Sequence, residues 1–110
     1  MPLILVVDDS MNDLLFLEEF LTTSGFECRL ANSGEMALEH LKIEKFDLVI
    51  SDFQMDDGDG LWLIDEIKKI KIMTKVILLS TELLTFGDGF SPKPIDLNHL
   101  KQQISHFIKL

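Results

Sequence analysis

The chain has 110 residues, of which 19 are acidic and 10 basic, so its formal net charge is −9. This length predicts one domain over residues 1–110 with a core of its own. The acidic balance argues against direct binding to nucleic acid or to an anionic membrane, because both need a basic surface. A lone cysteine, Cys28, excludes an internal disulfide. The chain also lacks a basic leader and an apolar run of about 20 residues, so we expect a cytoplasmic protein.

Short apolar runs alternate with amphipathic segments along the whole chain. Three continuous apolar runs predict strands buried on both faces, which are Leu3–Val7, Phe46–Ile50 and Val76–Leu79. A weaker, alternating segment predicts an edge strand at Glu27–Ala31, and a final short strand is expected near Gly89–Ser91. The amphipathic segments predict helices, which are Met11–Ser24, Ser33–Ile43, Leu61–Ile70 and Asp96–Leu110, with Ser33 as an N-cap. Regular alternation of this kind predicts an α/β fold with a parallel sheet, right-handed crossovers and helices on both faces.

The connection between the last two predicted strands is too short for the pattern. Only the nine residues 81–89 (TELLTFGDG) separate Ser80 from Phe90. A parallel crossover that includes a helix takes at least about 10–12 residues. We therefore expect a loop or a single turn where a fourth helix would otherwise lie.

Charged and hydroxyl side chains follow the predicted strands, and the carboxyl ends of parallel strands share one edge of a sheet. They are Asp8 and Asp9 after the first strand, Asp52 after the third, Ser80 and Thr81 after the fourth, and Lys93 after the fifth. Clustered carboxylates bind a hard cation such as Mg²⁺. An aspartate in such a cluster is a nucleophile toward a phosphoryl group, whose oxygens a lysine and a hydroxyl can then bind.

These residues, Asp8-Asp9, Asp52, Ser80 and Lys93-Pro94, resemble those of the receiver domain of bacterial two-component response regulators, of the single-domain chemotaxis type. The resemblance extends over essentially the whole chain. It implies a flavodoxin-like, three-layer fold with a five-stranded parallel sheet in the order 2-1-3-4-5. It also implies a cis Lys93-Pro94 bond.

The resemblance further implies a role for each site residue. Asp52 would accept a phosphoryl group from a histidine kinase or a histidine phosphotransfer protein, and Lys93 would contact that group. Ser80 and Phe90 would change conformation as the switch that a downstream protein target reads. Asp8, Asp9, Asp52 and the backbone carbonyl of Gln54 would hold Mg²⁺. Such a protein is a phosphoacceptor rather than an enzyme acting on an external substrate.

Three features depart from the family pattern. Asp56 stands where proline is frequent, and Thr81 stands where a small residue is usual and would narrow access to Asp52. The fourth helix is missing, so Leu83, Leu84 and Phe86 would have to fold back over the sheet, or a partner subunit would cover it. These departures motivate a second hypothesis, in which the chain is a phosphorylation-independent interaction or dimerisation module that acts through this face.

Other interpretations of the same residues are less consistent with the whole pattern. Asp8 and Asp9 taken alone would be helix-capping residues. The segment 55–66 resembles a calcium loop at Asp57, Asp59, Gly60 and Glu66, but Met55 occupies the first position, which needs a carboxylate. An aspartate-nucleophile phosphatase would need an Asp-x-Asp pair, which Asp8-Asp9-Ser10 does not supply.

Overall fold

A computed structural model describes residues 1–55, 60–84 and 87–108. Within these ranges all the predicted strands and helices are present. The strands are β1 (Leu3–Val7), β2 (Glu27–Ala31), β3 (Leu48–Asp52), β4 (Val76–Ser80) and β5 (Gly89–Pro92). The helices are α1 (Met11–Thr23), α2 (Gly34–Ile43), α3 (Gly60–Lys69) and α4 (Leu97–Phe107).

The largest differences from the predicted boundaries are at α4 and β3. The helix ends at Phe107, with Ile108 as its C-cap, instead of continuing to Leu110. The strand begins at Leu48 instead of Phe46 and continues through Asp52. Phe46 lies buried just before the strand. Its apolar side chain belongs to the core without belonging to the ladder, which an apolar run alone does not reveal.

Polar side chains fix where the helices begin. The side chain of Ser33 accepts a hydrogen bond from the Met36 backbone N–H at 3.1 Å, which confirms the predicted N-cap. Ser10 caps α1 in the same way, and Asp96 caps α4. Each cap satisfies a backbone donor that has no partner inside the helix.

The five strands form one sheet in the order β2-β1-β3-β4-β5, and every neighbouring pair is parallel. This is the predicted flavodoxin-like topology. Because successive side chains of a strand point to opposite faces, the sheet has an apolar core on each side. Ile4 and Ile50 pack in the core beneath α1 and α4, whereas Leu5 and Val49 pack in the core beneath α2 and α3.

The connection between β4 and β5 contains no helix in its described residues, 81–84 and 87–88. The backbone and the side chain of Asp88 both hydrogen-bond to Val76. The Asp88 N–H donates to the Val76 carbonyl at 3.1 Å, and the Asp88 Oδ2 accepts from the Val76 N–H at 2.8 Å. The short connection is therefore fixed against the start of β4.

This connection packs on the part of the sheet that a helix between β4 and β5 would otherwise cover. Leu78 in β4 is 0% exposed, and the backbone of Gly87 lies against its side chain. Leu84 is half-buried and packs on the same core, as predicted. Leu83 is 81% exposed and does not fold back, and its coverage by a partner subunit stays a prediction. Phe86 lies outside the described residues.

No helix in the described part of the chain is both long enough and apolar enough to cross a membrane.

Removal of the Leu78 side chain tests this packing. Leu78→Ala should lower the free energy of unfolding by about 2–5 kcal/mol, because it leaves a cavity under the connection. Leu83→Ala is the matched control and should change it by less than about 0.5 kcal/mol. Chemical denaturation of both variants measures the difference. Equal effects would mean that Leu78 is not covered.

Candidate functional site

The structure brings Asp8, Asp9 and Asp52 together at the carboxyl ends of two neighbouring strands. β1 ends at Val7, which is paired with Ser51 of β3, so the residues that follow them are adjacent. One carboxylate oxygen from each aspartate lies within 4.8 Å of the others. Asp8 and Asp52 are buried, whereas Asp9 is exposed.

The ammonium group of Lys93 lies among the carboxylates. Its Nζ is 3.0 Å from Asp8 Oδ2, 3.1 Å from Asp13 Oδ2 and 3.3 Å from Asp52 Oδ1. The Lys93 N–H also donates to the Ser80 carbonyl at 2.8 Å, which ties the residue to the end of β4. The Lys93-Pro94 peptide bond is cis, as predicted.

Asp13 was missed from the sequence. It lies in the first turn of α1, where an acidic residue is usual because it interacts favourably with the helix N-terminus. The available signal was its position four residues after Asp9, on a helix that begins at the edge of the sheet carrying the site.

The pKa values reflect the crowding of these charges. Burial, followed by the neighbouring Asp8 carboxylate, raises the pKa of Asp52 above its ordinary value, and this outweighs the lowering by Lys93. For Lys93 itself, burial lowers the pKa, but hydrogen bonds to Asp8 and Asp13 outweigh it and the pKa is raised. The lysine therefore stays charged at neutral pH.

The donor chemistry of the site fits a hard divalent cation. Asp8, Asp9 and Asp52 offer carboxylate oxygens without nitrogen or sulfur ligands, which suits Mg²⁺. Gln54 is exposed two residues after Asp52, and the role of its backbone carbonyl stays a prediction. Asp56 lies outside the described residues, as do Asp57 and Asp59 of the calcium-loop interpretation.

The other predicted site residues lie at the ends of β4 and in β5. Ser80 is buried, and its Oγ accepts a hydrogen bond from the Glu82 N–H at 3.0 Å. Thr81 is exposed, and its effect on access to Asp52 stays a prediction. Phe90 is half-buried opposite Leu78, and its N–H donates to Gln103 Oε1 at 3.3 Å. The switch role of Ser80 and Phe90 also stays a prediction.

Comparison with known proteins shows the family. Residues 4–105 match the family model of the response regulator receiver domain. The chain belongs to this family. As a receiver domain it has a place in two-component signalling, and this confirms the resemblance of the sequence.

Curated relatives are longer than this receiver. The transcriptional regulatory protein ZraR of Escherichia coli is 35% identical over an alignment of 107 positions, which covers 89% of this chain and 24% of ZraR. The transcriptional regulatory protein GlrR of the same species is 38% identical over an alignment of 112 positions, which covers 92% of this chain and 25% of GlrR. The chain thus spans about a quarter of the length of these relatives.

Solved structures of similar size share the fold of this receiver. The response regulator TrrA of Thermotoga maritima, in complex with Mg(2+)-BeF, is 33% identical with a TM-score of 0.90, covering 98% of this chain and 100% of TrrA. The chemotaxis protein CheY4 of Vibrio cholerae has a TM-score of 0.91 at 24% identity, covering 98% of this chain and 99% of CheY4. The latter likeness concerns the fold alone.

The raised pKa of Asp52 predicts a pH-dependent cost to stability. A raised pKa in the folded state means that the folded protein binds this proton more tightly than the unfolded chain does. The contribution of Asp52 to stability is therefore lost as the pH rises from about 4 through that pKa. Asp52→Asn should remove this cost and raise the metal-free melting temperature at pH 7 by a few degrees, or about 1 kcal/mol.

Thermal unfolding in a chelator at pH 4 and pH 7 measures this effect. The difference in melting temperature between Asp52→Asn and the wild type should increase from pH 4 to pH 7. Asp65→Asn removes an exposed carboxylate of α3 and is the control, for which the difference should stay near zero. A lower melting temperature of Asp52→Asn at pH 7 would contradict the prediction.

Proposed function

We propose that this receiver domain is a phosphorylation-dependent switch in a two-component phosphorelay, with Asp52 as the phosphoacceptor. The observation that carries the proposal is the position of the Asp52 carboxylate. It lies at the end of β3, 3.3 Å from the Lys93 ammonium and close to the carboxylates of Asp8 and Asp9. A nucleophile, a fixed cation and a set of metal ligands thus converge on one point.

The chemistry follows from these groups. A carboxylate oxygen of Asp52 attacks the phosphorus of the donor and forms an acyl phosphate. With a phosphohistidine of a histidine kinase or phosphotransfer protein as donor, the phosphorus–nitrogen bond breaks and its electron pair stays on the ring nitrogen. Lys93 pairs with an oxygen of the transferred group, because its ammonium already lies beside Asp52.

A metal ion completes the proposed site. Asp8, Asp9 and Asp52 would hold Mg²⁺, with the Gln54 carbonyl as a further ligand. When bound, the ion neutralises negative charge on the phosphoryl oxygens. The complex of the related TrrA with Mg(2+)-BeF supports the same chemistry here.

The proposed switch connects the site to the neighbouring connection. Ser80 Oγ now accepts from the Glu82 N–H, so turning the hydroxyl toward a phosphoryl group on Asp52 would break that bond. The backbone after Thr81 would then be released, and the half-buried Phe90 of β5 would move inward. A downstream protein target would bind the changed surface.

The second hypothesis is a phosphorylation-independent docking or dimerisation module, motivated by Thr81, Asp56 and the face that the short connection between β4 and β5 leaves. Leu78 is buried and Leu84 is half-buried, so among the described residues these two side chains add little to an apolar face. In the described residues of the connection, the exposed apolar side chain of Leu83 supports this hypothesis.

Phosphorylation by a small donor tests the proposal. With acetyl phosphate and Mg²⁺, the wild-type protein should gain one phosphoryl group, measured by intact-protein mass spectrometry. Asp52→Asn should gain none, because an amide is not a nucleophile toward phosphorus. A chelator should abolish the gain as well.

Asp65→Asn is the matched control, since it removes an exposed carboxylate outside the site and should be labelled like the wild type. A phosphoryl group on Asp52→Asn would show that another residue is the acceptor. Failure of the wild-type protein to accept any phosphoryl group would favour the docking module.

A further inference from the structure

Among the described residues, three carboxylates contact the Lys93 ammonium. Two of them belong to the predicted metal ligands Asp8 and Asp52, the second of which is also the predicted phosphoacceptor. The third belongs to Asp13, which has neither predicted role. Its Oδ2 lies 3.1 Å from Lys93 Nζ, as close as the contact with Asp8 at 3.0 Å. Asp13 is on α1, whereas Lys93 follows β5, so the contact joins two separate elements.

Lys93 Nζ donates hydrogen bonds to Asp8 and Asp13 and forms an ion pair with Asp52. An ammonium group has three hydrogens, and the oxygens of Asp8, Asp13 and Asp52 lie within 3.3 Å of Nζ. If the ammonium shifts toward a phosphoryl group on Asp52, its hydrogen bonds to Asp8 and Asp13 must lengthen or be shared.

Breaking the contact with Asp13 costs less free energy than breaking the contact with Asp8. Asp8 is 0% exposed and cannot exchange the lysine for water, whereas the Asp13 side chain is 37% exposed and can be rehydrated. Asp52 itself would carry the phosphoryl group. Capture of a phosphoryl group therefore competes with the Asp13 contact.

We propose that Asp13 is a positioning residue that holds the Lys93 ammonium toward α1 and thereby weakens capture of a phosphoryl group at Asp52. The inference rests on the proposed function, because it assigns Lys93 to the phosphoryl group. It gives this chain an adjustable site in which one partly exposed carboxylate sets the balance between the free and the phosphorylated states.

Beryllofluoride, a phosphoryl mimic, tests the inference by equilibrium binding. In saturating Mg²⁺, Asp13→Asn should bind beryllofluoride about two- to fivefold more tightly than the wild type, the ratio expected for loss of one partly exposed ion pair. Fluorine NMR titration measures the affinity. Asp13→Glu, which keeps the carboxylate, should return the affinity to the wild-type value.

Two controls separate this effect from a change in charge or in helix stability. Glu19→Gln removes an exposed carboxylate farther along α1 and should leave the affinity unchanged. Loss of an acidic residue from the first turn of α1 lowers helix stability, so a merely structural Asp13 predicts weaker binding in Asp13→Asn, the opposite of our expectation.

A Lys93→Met background tests whether Asp13 acts through the lysine. In this background Asp13 can affect the bound anion only by direct charge repulsion, because the lysine is absent. Asp13→Asn should therefore increase the beryllofluoride affinity less than it does in the wild-type background. If this background binds no beryllofluoride, hydrogen exchange of the Lys93 ammonium by NMR replaces it. Exchange should be faster in Asp13→Asn than in the wild type.

The outcomes distinguish the two proposals. A wild-type protein that binds no beryllofluoride would overturn the proposed function and this inference together. Three results would overturn the inference alone, provided that the wild type binds beryllofluoride. The first is an Asp13→Asn affinity equal to or weaker than that of the wild type, and the second is an equal gain in affinity in the wild-type and Lys93→Met backgrounds. The third is an unchanged exchange rate of the Lys93 ammonium in Asp13→Asn.

Discussion

The ammonium of Lys93 offsets the mutual repulsion of the carboxylates at the end of the sheet. Asp8 and Asp52 are both buried, and two buried negative charges in proximity are expensive without a compensating cation. The pKa of Asp52 remains raised even with Lys93 beside it, so the offset is incomplete. A site with residual negative potential and oxygen ligands attracts a divalent cation, and in the proposed function the same lysine would meet the oxygens of a phosphoryl group.

The rest of the structure holds these groups in place. Alternating side chains of β1 and β3 fill two cores, and that packing leaves their carboxyl ends fixed side by side. Lys93 reaches the site because its backbone bonds the end of β4 through Ser80. The short connection before β5 does not disturb this geometry, because Asp88 ties it to Val76 and Gly87 lies against Leu78.

Much of this arrangement could be predicted from the sequence, because parallel strands make the position of a strand-end residue depend on topology alone. Asp8, Asp9, Asp52 and Lys93 converge for that reason. Asp13 escaped because an acidic residue in a first helical turn has an ordinary explanation. The burial of Leu78 under the short connection could not be predicted in the same way. It comes partly from the backbone at Gly87, and hydrophobic patterning detects only side chains.

The stability of Lys93→Met without and with Mg²⁺ tests the role of the lysine most directly. In a chelator, this variant should lose about 3–5 kcal/mol of unfolding free energy, because its removal leaves buried carboxylates unpaired. Mg²⁺ should restore most of the loss, and should stabilise the variant more than the wild type. Lys75→Met removes the more exposed lysine near Asp88 and should change little under either condition. A Lys93→Met protein as stable as the wild type in the chelator would contradict the idea that this ammonium holds the site together.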